Sequence, residues 1–290
     1  MGRLMFVVVV VLVVAMSRVE AAVDVSWLRR MAARGNTTAL LVFGDSSVDP
    51  GNNNRLSTTF KSNFPPYGKD FFDGKATGRF SNGRLPTDFI ALMLGFAKSI
   101  PAFLDPNLKP EELRHGVSFA SAASGYDDLT VNFTKVLSFD KQLEYLRHYK
   151  NQLREVAGFE EEEKIVRNAI FIVSAGTNDF IQNYFTQPQR SKQYTVPAYV
   201  DYLISQATRH IKNPEKMALD AMVGFTEATK GCIGSGVIEI GETCIGQSTC
   251  KDPERYVFWD AVHPTQKMYG IIAYKAMAKV ASEILPQNSF

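Results

Sequence analysis

The sequence predicts an α/β fold built on a parallel sheet. Two uninterrupted apolar runs, residues 38–43 and 169–173, stop at Gly44 and Ser174, a pattern typical of strands buried on both faces. Segments with helical periodicity follow each run, and alternating strands and helices indicate helices layered on a central sheet. The length of 290 residues allows one large domain, which we place at residues 36–286.

Apolar stripes at helical spacing predict four helices. The first begins at Pro86 or Thr87, and the second has Ser138 as its N-cap. The third spans residues 199–211, and the fourth follows Pro264-Thr265 and ends at Pro286.

Two further stretches have less regular patterns. Residues 117–120 form a short, weaker strand candidate. Residues 49–83 are rich in Gly, Asn, Pro and aromatic residues and show no period. We expect them to form an irregular surface loop that can border a site.

The N-terminus has the order of a secretory signal peptide, which we assign to residues 1–22. Arg3 precedes the apolar run Phe6–Met16, and small residues follow up to Ala22. The run is about eleven residues long, too short for a helix to cross a bilayer core of about 30 Å. We therefore expect a secreted protein with no stable membrane insertion after cleavage, the alternative being an uncleaved anchor.

Secretion changes how other residues are interpreted. Asn36 and Asn132 each begin an N-glycosylation sequon, although such triplets also arise by chance. Cys232, Cys244 and Cys250 lie close together, and an oxidising compartment favours one local disulfide that leaves one thiol over. Their pairing stays open.

Composition excludes several classes of partner. With 32 basic and 30 acidic residues the net charge is +2, which gives no general attraction to nucleic acids or anionic membranes. CxxC spacing is absent and the four histidines are dispersed, so we predict no metal and no cofactor. The expected partner is a small molecule bound at a local site.

Ser46 is the candidate nucleophile. It follows Gly44-Asp45 at the carboxyl end of the first predicted strand, where open α/β sheets bind ligands. A serine after a strand also serves as a helix N-cap, and Ser47 can do the same.

Asp260 and His263 are the candidate partners of this serine. A serine hydroxyl needs a base to take its proton, and histidine suits that role near neutral pH. A carboxylate three residues earlier can hold the imidazole in the required tautomer. The alternative is that Asp260 only caps the next helix.

Asn178 follows the second predicted strand and is therefore expected at the same sheet edge as Ser46. Its amide can donate a hydrogen bond to the oxyanion of a tetrahedral intermediate. The alternative is a simple Asx turn. Together the three motifs predict acyl-transfer chemistry by a serine nucleophile.

Several longer stretches carry a family resemblance. Residues 42–54, 64–68, 78–84, 176–179 and 260–263 resemble the signature blocks of plant GDSL esterase/lipases, a branch of the SGNH hydrolases. The resemblance implies a three-layer α/β/α flavodoxin-like fold with a parallel central sheet. It also implies hydrolysis of small-molecule or lipid carboxylic esters without a cofactor.

The resemblance implies a role for each candidate residue. Ser46 is the nucleophile, His263 the base and Asp260 its orienting carboxylate. Asn178 and the backbone N–H of Ser46 donate to the oxyanion. The third such donor in the family is a glycine, and Ala123 occupies its place here. Because a Cβ is penalised at positive φ, we expect weakened chemistry if Ala123 adopts such a conformation.

A second departure is the absence of an internal segment near residues 210–213. The family has a further strand, a loop and a long helix there, so we expect the sheet to be short of one strand and one helix. The chain resembles an isoform or gene model that lacks this segment. The function predicted is that of a secreted esterase. The alternatives are a weak or inactive variant that acts as a binding protein, and an acyltransferase with the same triad.

Overall fold

A computed structural model describes residues 6–8, 25–210 and 227–284. The strands are β1 (Phe6–Val8), β2 (Leu40–Gly44), β3 (Ile170–Ser174), β4 (Glu227–Gly231) and β5 (Tyr256–Phe258). The α-helices are α1 (Val25–Arg34), α2 (Pro86–Leu94), α3 (Asp128–Thr134), α4 (Phe139–Ala157), α5 (Phe159–Arg167), α6 (Val196–His210) and α7 (Gln266–Ile284).

The main sheet is parallel, as predicted. Strands β2 and β3 are neighbours, with Leu40 opposite Ile170 and Gly44 opposite Ser174. On the other side of β3 lies β1, which belongs to the predicted signal peptide, so the order is β1-β3-β2. Residues 117–120 contact the outer edge of β2 through an isolated bridge between Val42 and Ser118 and do not form a full strand.

Helices cover both faces of this sheet because its side chains alternate between two cores. Leu40 and Val42 face a cluster that includes residues of α1, α2 and α7. Leu41 and Phe43 face the opposite cluster, which includes residues of α4, α5 and α6. The α/β class is therefore confirmed, with helix, sheet and helix layers.

The four predicted helices correspond to α2, α4, α6 and α7. Ser138 caps α4, since its hydroxyl accepts the N–H of Lys141 at 3.2 Å. Helices α1, α3 and α5 were not predicted, nor was the π-helical segment Asp179–Thr186 that follows β3. The predicted helix ends at Ile211 and Pro286 lie outside the described residues.

A small second sheet carries the region around the cysteines. Strand β4 pairs in parallel with β5, and its short, polar sequence without an apolar run explains why it was not predicted. Cys232 and Cys250 form the expected local disulfide, and Cys244 is the thiol left over. Burial raises the pKa of the Cys244 thiol to about 11. The thiol is therefore protonated at neutral pH.

Two expectations fall on residues that are not described. The expected missing segment would lie beside residues 211–226, and most of the predicted signal peptide lies in residues 1–5 and 9–24. Among the described residues, every helix is too short or too polar to cross a membrane.

Candidate active site

The turn after β2 places Ser46 at the carboxyl edge of the sheet. At Gly44 the backbone has φ of 142°, and a Cβ there would lie 2.0 Å from the carbonyl oxygen of Ser174. Glycine thus lets β2 end against β3. The N–H of Asp45 donates to the same oxygen at 3.0 Å, and the hydroxyls of Ser47 and Ser174 are 2.8 Å apart.

Asp45 stabilises the turn by hydrogen bonds to Ser47. Its Oδ1 accepts the backbone N–H of Ser47 at 3.0 Å and the hydroxyl of Ser47 at 2.8 Å. The carboxyl is buried, and burial raises its pKa although both hydrogen bonds oppose the change. With Asp45 and Ser47 both bonded within the turn, the side chain of Ser46 is left for other contacts.

Ser46, His263 and Asp260 form one chain of hydrogen bonds. His263 Nε2 lies 2.9 Å from Ser46 Oγ, and His263 Nδ1 lies 2.8 Å from Asp260 Oδ2. Asp260 Oδ1 also accepts the backbone N–H groups of Val262 at 2.8 Å and His263 at 2.7 Å. The three-residue spacing therefore does bring the carboxylate and the imidazole together in one turn.

The carboxyl of Asp260 is held in its ionised form. Burial acts to raise its pKa, but the charge of His263 and hydrogen bonds from His263 and Tyr67 outweigh burial and leave the pKa lowered. The phenol of Tyr67 donates to Asp260 Oδ2 at 2.5 Å and accepts the N–H of Gly241 at 2.9 Å. A negative carboxylate therefore faces the imidazole in a buried site.

Aromatic rings hold the imidazole in place. The ring of Phe80 packs at a tilt against that of His263 with 4.6 Å between centroids, and Tyr67 packs edge-on against Phe80 at 5.5 Å. The sequence motifs did not assign a role to either ring. Their only signal was that they lie in two stretches, residues 64–68 and 78–84, that resemble the family blocks.

Three groups in the described residues have hydrogen atoms free to donate. Within the described residues, the backbone N–H groups of Ser46 and Ala123 have no hydrogen-bond acceptor. Asn178 Nδ2 donates to the carbonyl of Ser124 at 2.9 Å, which orients the amide and leaves its second hydrogen without an acceptor in that part of the chain. Asn178 and Ser46 line the same cavity. These donors can serve a developing negative charge.

Ala123 has φ of 66°, the condition under which we expected weakened chemistry. Its turn is held by side chains from the residue 49–83 loop. Asp49 Oδ2 accepts the N–H of Ala122 at 2.9 Å, and Asn53 Nδ2 donates to the carbonyl of Ala122 at 2.9 Å. The surrounding bonds thus impose a left-handed conformation on a residue with a Cβ, at a cost of about 1–2 kcal/mol.

The two sequon asparagines lie away from this cluster. Asn36 is exposed at the end of α1, and Asn132 is exposed on α3.

A serine hydroxyl on an imidazole, backed by a buried carboxylate, can act as an acyl-transfer nucleophile. Residues 40–220, more than half of the chain, match the family described as GDSL-like Lipase/Acylhydrolase. The chain belongs to this family. It is a carboxylic ester hydrolase, and the matched range contains Ser46, Ala123 and Asn178.

Relatives in Arabidopsis thaliana agree with this membership. The chain is 40% identical to GDSL esterase/lipase At5g45950 over 341 positions, which cover 91% of this chain and 94% of the relative. It is 38% identical to GDSL esterase/lipase At5g45960, with 81% and 84% covered. It is 32% identical to GDSL esterase/lipase At5g42170, with 98% and 100% covered.

The first of these alignments also measures a difference in length. Its 341 positions exceed the 290 residues of this chain, and 91% of 290 is about 264, so about 77 positions have no residue of this chain opposite them. This GDSL relative therefore carries residues that the present chain lacks.

Proposed function

We propose that this chain is a secreted serine esterase or lipase that hydrolyses carboxylic esters through an acyl-serine intermediate. In this proposal Ser46 is the nucleophile, His263 the general base and Asp260 its orienting carboxylate. The observation that carries the proposal is the continuous hydrogen-bond chain from Ser46 Oγ through the imidazole to Asp260. Family membership supports the ester as the substrate.

The reaction would begin with attack of Ser46 Oγ on the ester carbonyl carbon while His263 Nε2 takes the hydroxyl proton. Asp260 holds Nδ1–H and stabilises the imidazolium that forms. The imidazolium then gives its proton to the departing alkoxide, and the acyl group stays on Ser46. His263 then takes a proton from a water molecule, whose oxygen attacks the acyl carbon. The imidazolium returns that proton to Ser46 Oγ as the acyl–oxygen bond breaks and the acid leaves.

The tetrahedral oxygen would receive hydrogen bonds from the N–H groups of Ser46 and Ala123 and from the amide of Asn178. Removal of one such donor costs about 2.7–4 kcal/mol of barrier in a well-studied protease. These donors are supported by their lack of other acceptors among the described residues. The proposed role of Ala123 uses its backbone, so its side chain affects the reaction only through shape and strain.

Secretion forms part of the proposal. Residues 1–22, which include β1, would be removed as a signal peptide, so β2 and β3 would remain as the main sheet of a hydrolase domain within residues 36–286. Asn36 and Asn132 would then be available to the glycosylation machinery, and their exposure is consistent with this. Small-molecule or lipid esters would meet the enzyme outside the cell.

The experiment is expression with the natural leader, followed by purification from the medium and mixing with a short-chain nitrophenyl ester. The proposal predicts a cleaved N-terminus and a burst of nitrophenol equal to the enzyme concentration when deacylation is slow. Retention of the protein in the cell would contradict secretion. A folded, pure protein without ester turnover would contradict the esterase and support the binding-protein alternative.

A further inference from the structure

A cavity of about 170 Å³ opens beside the proposed nucleophile and continues into the layer between α2 and α7. Ser46 and His263 line it at the sheet edge. The rest of its lining is mainly apolar and includes Ile90, Ile172, Phe258, Ile272, Ala273 and Ala276.

The cavity has a polar end and an apolar end. Helix α7 starts just after His263, so its lining residues run away from the imidazole, from Tyr269 to Ala276, over about 10 Å at 1.5 Å per residue. On β3, Ser174 lies at the edge that carries Ser46, and Ile172 lies two residues further in. Ala276 and Ile172 therefore mark the inner, apolar end.

Tyr269 adds an independent indication of a ligand. Its side chain lines the cavity, is only 2% exposed, and its hydroxyl has no hydrogen-bond partner within the described residues. A buried hydroxyl without a partner costs about 1–3 kcal/mol, so it favours an occupant with a polar atom nearby. Burial and the negative charges of Asp260 and Asp45 raise the pKa of this phenol, so its hydroxyl stays protonated and can donate a hydrogen bond.

We propose that this cavity is the acyl pocket and that the enzyme takes esters of short-chain acids of up to about six carbons. An ester brings a polar group to Ser46 and Tyr269 and an apolar chain to Ile172 and Ala276. A cavity of about 150 Å³ holds benzene, so about 170 Å³ accommodates about six carbon atoms. This inference rests on the proposed function of Ser46.

The test is a series of nitrophenyl esters with acyl chains of two to twelve carbons. The kcat/KM is expected to rise by up to about four-fold per added methylene, since each buried CH₂ contributes about 0.8 kcal/mol, and to fall beyond about six carbons. A flat profile, or an optimum at ten carbons or more, would overturn the acyl pocket. Absence of turnover at every length would instead contradict the esterase itself.

Two substitutions at the cavity wall should shift the preferred acyl-chain length in opposite directions. Ala276→Val adds two carbons to the wall and should move the optimum to shorter chains, whereas Ile90→Ala removes three and should move it to longer ones. The matched control is Ala278→Val, which makes the same change two residues along α7 at a position that does not line the cavity. The control should keep the wild-type optimum. If both wall variants changed kcat/KM equally at all chain lengths, the cavity would not hold the acyl group.

Discussion

The phenol of Tyr67 donates a hydrogen bond of 2.5 Å to Oδ2 of Asp260, the carboxylate oxygen that also bonds the imidazole of His263. Burial and the neighbouring carboxylate keep the pKa of this phenol far above its ordinary range, so it stays a donor. The same oxygen of Tyr67 accepts the N–H of Gly241. The loop of residues 49–83 thus contacts the proposed triad at Asp260, the end of the hydrogen-bond chain that lies away from Ser46.

Tyr67→Phe should lower kcat by about 10- to 100-fold with little change in KM, since a hydrogen bond to a charged group contributes about 1.5–3 kcal/mol. The free energy of unfolding should also fall, because the N–H of Gly241 loses its acceptor. The matched control is Tyr149→Phe. Tyr149 is buried on α4, on the face of the main sheet that α2 and α7 do not cover. Its hydroxyl donates to the carbonyl of Leu113 at 2.7 Å. This control should lose stability but keep kcat, and equal kcat in both variants would contradict the positioning role.

Ala123→Gly should raise kcat several-fold. Glycine adopts φ of 66° without a Cβ penalty, which relieves strain at the proposed backbone donor. Stability should change by less than about 1 kcal/mol, because relief of backbone strain is offset by the greater chain entropy of glycine in the unfolded state. Ala122→Gly is the matched control, since Ala122 is buried and has no positive φ. It should lower stability without raising kcat. An unchanged or lower kcat in Ala123→Gly would show that this strain does not limit catalysis.

The protein should become less stable as the pH rises from 5 to 8. Burial raises the pKa of Asp49 to about 6 and that of Asp179 to about 7, above the ordinary value of 3.8, and it raises the pKa of Asp45 as well. Between these values and about pH 4, the folded chain binds protons that the unfolded chain has released. The contribution of these carboxyls to the free energy of unfolding is therefore complete at low pH, and it is lost as the pH rises through 6 to 7. Asp260 and Asp127, whose pKa values are lowered, are ionised in both states throughout this range and add no slope.

Thermal denaturation at several pH values measures this slope, and Asp179→Asn should reduce it. The amide does not titrate, so position 179 no longer contributes to the change of Tm between pH 5 and 8, whereas Asp49 still does. A Tm that increases with pH by the same amount in both proteins would contradict the assignment.

Local patterns in the sequence accounted for the elements that position the site. The apolar runs before Gly44 and Ser174 are the strands β2 and β3, since residues buried on both faces of a parallel sheet leave a continuous apolar signal. Asp260 and His263 meet because their spacing closes a short turn. The contact of Ser46 with His263 could be seen only in the folded structure, because it joins positions 217 residues apart.

The parts that were missed depend on contacts that no local pattern encodes. Tyr67 bonds Asp260 across 193 residues of sequence, and Phe80 packs against His263 in the same distant turn. The positive φ of Ala123 is imposed by bonds from Asp49 and Asn53 to its neighbour. Strand β4 was missed because it is short and polar, so it carries no apolar period.

The most direct measurement is the intact mass of the protein after reaction with a fluorophosphonate, compared among wild type, Ser46→Ala and Ser47→Ala. Our account predicts one adduct on the wild type, mapped to the peptide that contains Ser46, and none on Ser46→Ala. Ser47→Ala, the neighbouring hydroxyl, should keep the adduct. Labelling that persists in Ser46→Ala, or that disappears only in Ser47→Ala, would contradict Ser46 as the nucleophile.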